Sequence, residues 1–258
     1  GTNMFRLKDG RFEQIGQSWL KHGFGADQNP FCSSSCIPAD NEHLGVNCSN
    51  PDSAGIVGSQ SRLGPKFEVD ASTGVFPFPA TNMSQTGDAI YKRLQVHNAD
   101  LDPALNPGAK YWVEVQFVAA DDAAAGNQHN NASYRPVAVS GSAGSFDFIL
   151  TGTTVRTLPA IFAWKGIDPE VVLADAYVPS DGRFIVGARV TSTGSGYHYE
   201  YAVQNLDSRR SAGSFAVPIP AGAVVTDIGF HDVDYHSGEP FSGQDWTAAI
   251  EGGAVVWR

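Results

Sequence analysis

Apolar and polar residues alternate in several short segments, each bounded by Gly, Pro, Asn or Ser. Residues 111–118 place Tyr111, Val113, Val115 and Phe117 on one side of an extended strand. Residues 145–150 and 183–190 carry the same signature. The cleanest case is 197–205, where Tyr197, Tyr199, Tyr201 and Val203 line one face and His198, Glu200 and Gln204 the other. Residues 214–219, 224–230, 246–250 and 254–257 read as further strands. Helical signal is scarce. Residues 13–22 offer a short helical stretch punctuated by Gly10, Gly16 and Gly23, and 121–125 a single turn. Strands of this length and spacing predict a mostly β chain whose antiparallel sheets pack as an immunoglobulin-like or jelly-roll-like sandwich.

The first part of the chain departs from this pattern. Residues 1–110 contain all three cysteines, many Asn, Ser, Gly and Pro, and few alternating segments. Stretches 59–79 and 100–107 have the composition of ordered, irregular loops, which are uncommon at this length and usually functional or wrapped onto a scaffold. The expected organisation is one globular unit, with a loop-rich N-terminal region (1–110) packed on a β-sandwich body (111–258).

Composition narrows the function classes. With 258 residues, 17% charged, and 15 Phe, 8 Tyr and 5 Trp, the chain has material for a real core and is not disordered. The 17 Lys+Arg against 27 Asp+Glu give a formal charge of −10, which argues against a protein that grips nucleic-acid phosphates. No stretch approaches the roughly 20 apolar residues of a membrane span. Gly1 to Met4 lead straight into Arg6, Lys8 and Asp9 without a signal-peptide pattern, so the chain reads as a mature or excised part of a longer precursor.

Cys32, Cys36 and Cys48 fall within seventeen residues of a Pro-, Ser- and Asn-rich loop. Such a loop has little apolar content to order it, which favours one short disulfide and an oxidising compartment. The pairing is not fixed by sequence and one thiol is left over. Three thiolates with His43 would supply zinc ligands, but the C-x3-C-x11-C spacing fits no zinc pattern well.

Tyr197, Tyr199, Tyr201, Val203, Asn205, Phe215, Pro218 and Pro220 follow an aromatic-x-aromatic-x-aromatic-x-Val-x-Asn, polar turn, Ser-Phe-x-Val-Pro-x-Pro arrangement. This stretch resembles the strand–loop–strand core of immunoglobulin-like modules in secreted bacterial proteins. Most of the chain, from Phe5 onward, also resembles large secreted bacterial proteins. The resemblance implies a β-sandwich and a secreted or cell-surface location, and brings no catalytic residues with it.

The sharpest chemical feature is the run His231, Asp232, Val233, Asp234, Tyr235, His236, Ser237, Gly238, Glu239, expected at the end of the strand 224–230. Two imidazoles and several carboxylates would suit Zn, Cu or Fe, and the oxygen subset Asp232, Asp234 and Glu239 would suit Ca. His22, locally constrained before Gly23, is the preferred outside ligand. A polar network that caps turns is the competing reading. A second loop offers oxygens from Asp121, Asp122, Asn127, Asn130 and Asn131 for Ca, although its order is not that of an EF-hand, and Asx turns explain the same composition.

There is no G-x-S-x-G elbow and no Gly-rich loop leading into a helix, so neither a serine nucleophile nor a nucleotide cofactor is expected. Trp19, Trp112, Trp164 and Trp246 are candidates for stacking on sugars. The leading expectation is an extracellular structural or binding β-sandwich at the cell surface or in matrix, with or without a stabilising metal. Its partner would be an extracellular polymer, a glycan or another matrix or surface protein. The alternative is a metal-dependent hydrolase or oxidase acting on a polysaccharide, with His22, His231, Asp234 and His236 holding the ion and Asp232 or Glu239 as base. A pure carbohydrate-binding module, using aromatics and the 121–131 loop, is the third.

Overall fold

Asp9 and Gly10 both take positive φ, 51° and 85°, the requirement of a two-residue type I′ hairpin turn. In the computed structural model they join β1 (Thr2–Lys8) to β2 (Arg11–Gln17). The structure describes residues 1–24, 28–30, 33–50, 53–142, 144–234, 236, 239–240 and 242–258. The short helix expected over 13–22 is therefore a strand over most of its length. Its hydrogen bonds go sideways, because β2 is paired with β1 on one edge and with Gln95 and Val96 on the other. Gly16 serves this pairing: a Cβ there would lie 2.4 Å from the Gln95 carbonyl oxygen.

β3 (Leu20–Lys21) pairs with β4 (Leu63–Gly64), and β5 (Gln95–Val96) lines the outer edge of β2. β6 (Lys110–Gln116), β7 (Ala132–Ser142) and β8 (Ser145–Leu150) complete a six-stranded antiparallel sheet in the order β5-β2-β1-β6-β7-β8. This sheet joins residues on both sides of position 110. β6 lies inside it, and Tyr111, Trp112, Val113 and Glu114 are all buried, so both of its faces are covered.

A second antiparallel sheet follows in the order β11-β10-β9, from β9 (Val172–Tyr177), β10 (Arg183–Ser192) and β11 (Tyr197–Asn205). A third, in the order β12-β14-β13, is built from β12 (Phe215–Pro218), β13 (Ala248–Glu251) and β14 (Ala254–Trp257). The strand expected over 224–230 does not form. Asp227 has a φ of 55°, which interrupts an extended chain. Helices are short: α1 (Ala54–Val57), α2 (Asn98–Leu101), α3 (Ala120–Ala124) and α4 (Ile161–Ile167). The chain is mostly β, with 36% strand and 12% helix.

The first two sheets share one core. Phe5, Leu7, Phe12, Trp112 and Tyr134 of the six-stranded sheet meet Ile185 of β10 and Ile161, Ala163 and Trp164 of α4. Gly187 lets Trp164 lie against β10, since a Cβ there would sit 3.0 Å from the indole ring. Glu114 is buried among these groups. It accepts from Asn3 Nδ2 (3.1 Å), the Ala160 amide (2.6 Å) and Gln204 Nε2 (3.0 Å), linking β1, the start of α4 and β11. A second cluster, Met4, Ile15, Tyr111, Val113 and Val137, covers the opposite face of the six-stranded sheet. Cys36 and Cys48 form a disulfide across a separation of 12 residues. This removes the thiolate set considered with His43 for zinc; Cys32 lies outside the described residues. His43 instead sits 2.7 Å from Asp40. That contact holds the Asp40 carboxyl below its ordinary range and raises the imidazole.

Candidate functional site

The described residues of 229–239, namely 229–234, 236 and 239, have no regular structure, and several of them contact β2 or the residues flanking β5. Trp257 Nε1 donates to the Gly229 carbonyl at 2.9 Å, and Phe230 stacks on Trp246 with centroids 5.5 Å apart. His231 Nε2 lies 3.2 Å from the Gln14 carbonyl of β2 and 3.7 Å from Glu13. Asp234 pairs with His97, just beyond β5, at 2.9 Å. His236 is buried, and its Nε2 reaches the Arg93 carbonyl at 2.5 Å. Asp232 is pushed up by burial, with Asp245 and Asp234 adding to the effect. Tyr235, Ser237 and Gly238 lie outside the described residues. His231, Asp234 and His236 thus reach three separate parts of the body. Among the described residues no group of three or more His, Cys, Asp or Glu side chains is arranged to hold a metal ion.

Glu239 belongs to another environment. It is buried, one carboxylate oxygen accepts from the Lys66 amide at 3.2 Å, and the other has no hydrogen-bond partner among the described residues. Burial raises its carboxyl. Burial also lowers the Lys66 ammonium to about 8, although that group donates to Asn3 Oδ1 (3.1 Å) and Gln17 Oε1 (2.9 Å). His22 is buried with its ring edge-on to Phe76. Its Nδ1 is 3.1 Å from the Leu20 carbonyl, its Nε2 has no hydrogen-bond partner among the described residues, and burial holds it below its ordinary value.

Asp121 and Asp122 fall in α3, and the rest of the 121–131 loop is organised by its own backbone. The Asn127 amide donates to the Asp122 carbonyl, the Asn130 amide to the Asn127 carbonyl, and Asn131 accepts from Phe117. The side chain that ties this loop down is one the sequence did not single out. His129 Nδ1 meets the fully buried Asp207 carboxylate at 2.8 Å, while the other Asp207 oxygen accepts from the Arg183 amide at 2.6 Å. His97, Lys66 and Asp207 escaped sequence reading because each sits in a short or irregular segment without periodicity. A cleft of about 120 Å³ lined by Glu42, His43, Gly74, Val75, Phe76 and Ala120 is well below the roughly 300 Å³ where small-molecule sites begin.

The surface that breaks the usual rules is the outer face of the second sheet. Directly paired residues share a face, so the register gives rows Ala176–Phe184–Asn205, Ala174–Val186–Val203, Val172–Ala188–Tyr201, Val190–Tyr199 and Ser192–Tyr197. Ile185, Leu173 and Ala202 occupy the other face and reach the core. So do Gln204, through Glu114, and Glu200, which meets Arg11 of β2. The row carrying Val, Ala and Tyr is consequently turned outward. Tyr197 is 68% exposed, Val172 63%, Tyr199 52%, and Val190 and Val203 42% each. Phe215 covers Tyr201 at 5.5 Å, and Phe184 at one end is buried. An antiparallel sheet with one wet face normally presents polar residues there; this face carries no charged side chain.

No protein-family model, curated protein or solved structure matches this chain.

Proposed function

We propose that the chain is an extracellular, non-catalytic β-sandwich module that binds or builds structure, and that its working surface is the open face of β9, β10 and β11. The observation that carries this reading is the exposure of Val172, Val190, Tyr197 and Tyr199 on a face without charge. Contiguous apolar surface of this kind marks interaction sites rather than ordinary solvent contact. Two antiparallel sheets around a common core support the sandwich. The likeness of 197–220 to immunoglobulin-like modules of secreted proteins favours that version of it. The Cys36–Cys48 disulfide favours an oxidising compartment. The contacts of His231 with Gln14, Asp234 with His97 and His236 with Arg93 are then architecture that holds this part of the chain against β2 and β5.

The test is a titration with the apolar dye bis-ANS at sub-micromolar protein, alongside a variant carrying Val172→Thr, Val190→Thr, Tyr197→Ser and Tyr199→Ser. The native chain is expected to enhance dye fluorescence, and the variant to lose most of the enhancement with an unchanged far-UV spectrum. Equal enhancement by the two proteins would refute the reading. One equivalent of copper, zinc or iron that disappears in His231→Ala would instead support the metal-dependent enzyme.

A further inference from the structure

We infer that the open face of β9–β10–β11 is covered in solution by the same face of a second copy of this chain. This inference rests on the reading of that face as the working surface. Three properties select the occupant. The first is charge. The chain carries −10, so two copies repel over most of their surface, and a two-fold axis sets each patch against itself. A self-docking patch with an excess of one charge sign would add to that repulsion, and an uncharged one does not. Val172, Ala174, Ala176, Val190, Ser192, Tyr197, Tyr199, Val203 and Asn205, the exposed members of the face, include no Asp, Glu, Lys or Arg.

The second property is shape. Apart from Phe184 and Ser192 at the two ends of β10, Val and Ala fill the rows of β9 and β10, with tyrosines only along β11. Small aliphatic side chains give the even surface on which two sheets stack about 10 Å apart, while tyrosine is the residue enriched at protein interfaces. A sugar-binding face would instead need several hydrogen-bonding groups pointing at the ligand; the polar groups here are the tyrosine hydroxyls and, at the ends, Ser192 and Asn205.

The third is area. Three strands spaced about 4.8 Å apart and up to ten residues long give a footprint on the order of 400 Å². That is about half of the roughly 800 Å² per partner of a standard stable interface. The dimer is accordingly weak, with a dissociation constant on the order of 10 µM or higher, and the face is free when the protein is dilute. Tyr201, already capped by Phe215, forms one border of the contact.

Sedimentation velocity between 1 and 300 µM tests this, with light scattering as a second measure of mass. The expected result is a concentration-dependent shift from 27.4 kDa toward twice that mass, larger at 300 mM than at 20 mM NaCl because salt screens the repulsion elsewhere. Val190→Lys and, separately, Tyr199→Lys should stay monomeric at every concentration with native circular dichroism; Tyr199→Lys lies on an edge strand and tolerates the change if Val190→Lys fails to fold. Mixing Val190→Lys with Val190→Glu should restore the heavier species. A wild-type chain that is monomeric at 300 µM yet binds bis-ANS when dilute overturns the second copy and leaves the open-face reading standing. Monomer without dye binding overturns both. A dimer that survives both lysine substitutions, or a monomer retained on a neutral polysaccharide through Tyr197 and Tyr199, also overturns the inference.

Discussion

Lys92 is fully buried, with its ammonium donating to three carbonyls: Gln60 at 3.2 Å, Asn82 at 2.6 Å and Gln85 at 3.1 Å. It also lies 5.3 Å from the Trp19 ring centroid and 5.2 Å from that of Tyr91. Among the described residues no carboxylate pairs with it. One cation thus gathers the 60–92 loop around Trp19, whose amide donates to the Lys92 carbonyl. Lys92→Met keeps the length of the side chain and removes all three donors. Gln60 is buried, so its carbonyl loses its partner at a cost of about 1–3 kcal/mol. Asn82 and Gln85 are exposed, so water replaces the ammonium there and the loss is nearer ~0.5–1 kcal/mol each. Loss of the two ring contacts adds about 1 kcal/mol. Relief of the desolvated charge offsets part of this, leaving a net loss of about 3 kcal/mol.

For a chain of this size that is a fall in Tm of roughly 6–12 °C. Urea unfolding followed by the fluorescence of the five tryptophans would measure it. Lys92→Met within about 0.5 kcal/mol of wild type would refute the account, since surface substitutions lie in that range. Burial lowers the Lys92 ammonium. The folded chain therefore binds fewer protons than the unfolded one between the lowered value and 10.5, and the Lys92 contribution rises with pH across that window. Lys92→Met should abolish this slope.

Glu114→Leu should destabilise by about 2–3 kcal/mol in thermal unfolding, because Asn3, Gln204 and the Ala160 amide lose their common acceptor. Lys66, lowered to about 8 by burial, should make stability rise between pH 8 and 10.5, and Lys66→Met should flatten that rise in parallel urea titrations. His22, held below 6.5 by burial, should make the fold lose stability as pH falls from 6.5 through its lowered value, and His22→Leu should blunt the loss of Tm between pH 7 and 5. Replacing Cys36 and Cys48 by Ser should cost about 3 kcal/mol for a closed loop of this length, read as earlier proteolytic cleavage within 33–50.

Local chemistry determined much of the fold. Alternation marked β8, β10 and β11 before any packing was known, and the sparse helical periodicity marked the chain as mostly β. The β1–β2 hairpin was missed. Glu13 to His22 suggests a short helical stretch, and what overrides it is the Asp9–Gly10 turn together with pairing to β1 and β5, which lie at or beyond the window a local pattern can sense. The His231–Glu239 run was conspicuous by composition. Composition does not say where side chains point, and Asp227 turns the chain so that His231, Asp234 and His236 meet Gln14, His97 and Arg93.

β11 shows most plainly where sequence stops and tertiary structure begins. Period two fixes that Tyr197, Tyr199, Tyr201 and Val203 share a face, because successive side chains of a strand point to opposite sides. It leaves open which face the core receives. Gln204 bonded to Glu114, Arg11 bonded to Glu200, and Trp164 lying on Gly187 hold the more polar side inward. The tyrosine face is left outward as a consequence of contacts made by residues up to about 190 positions away in the chain, a distance over which no local pattern carries information.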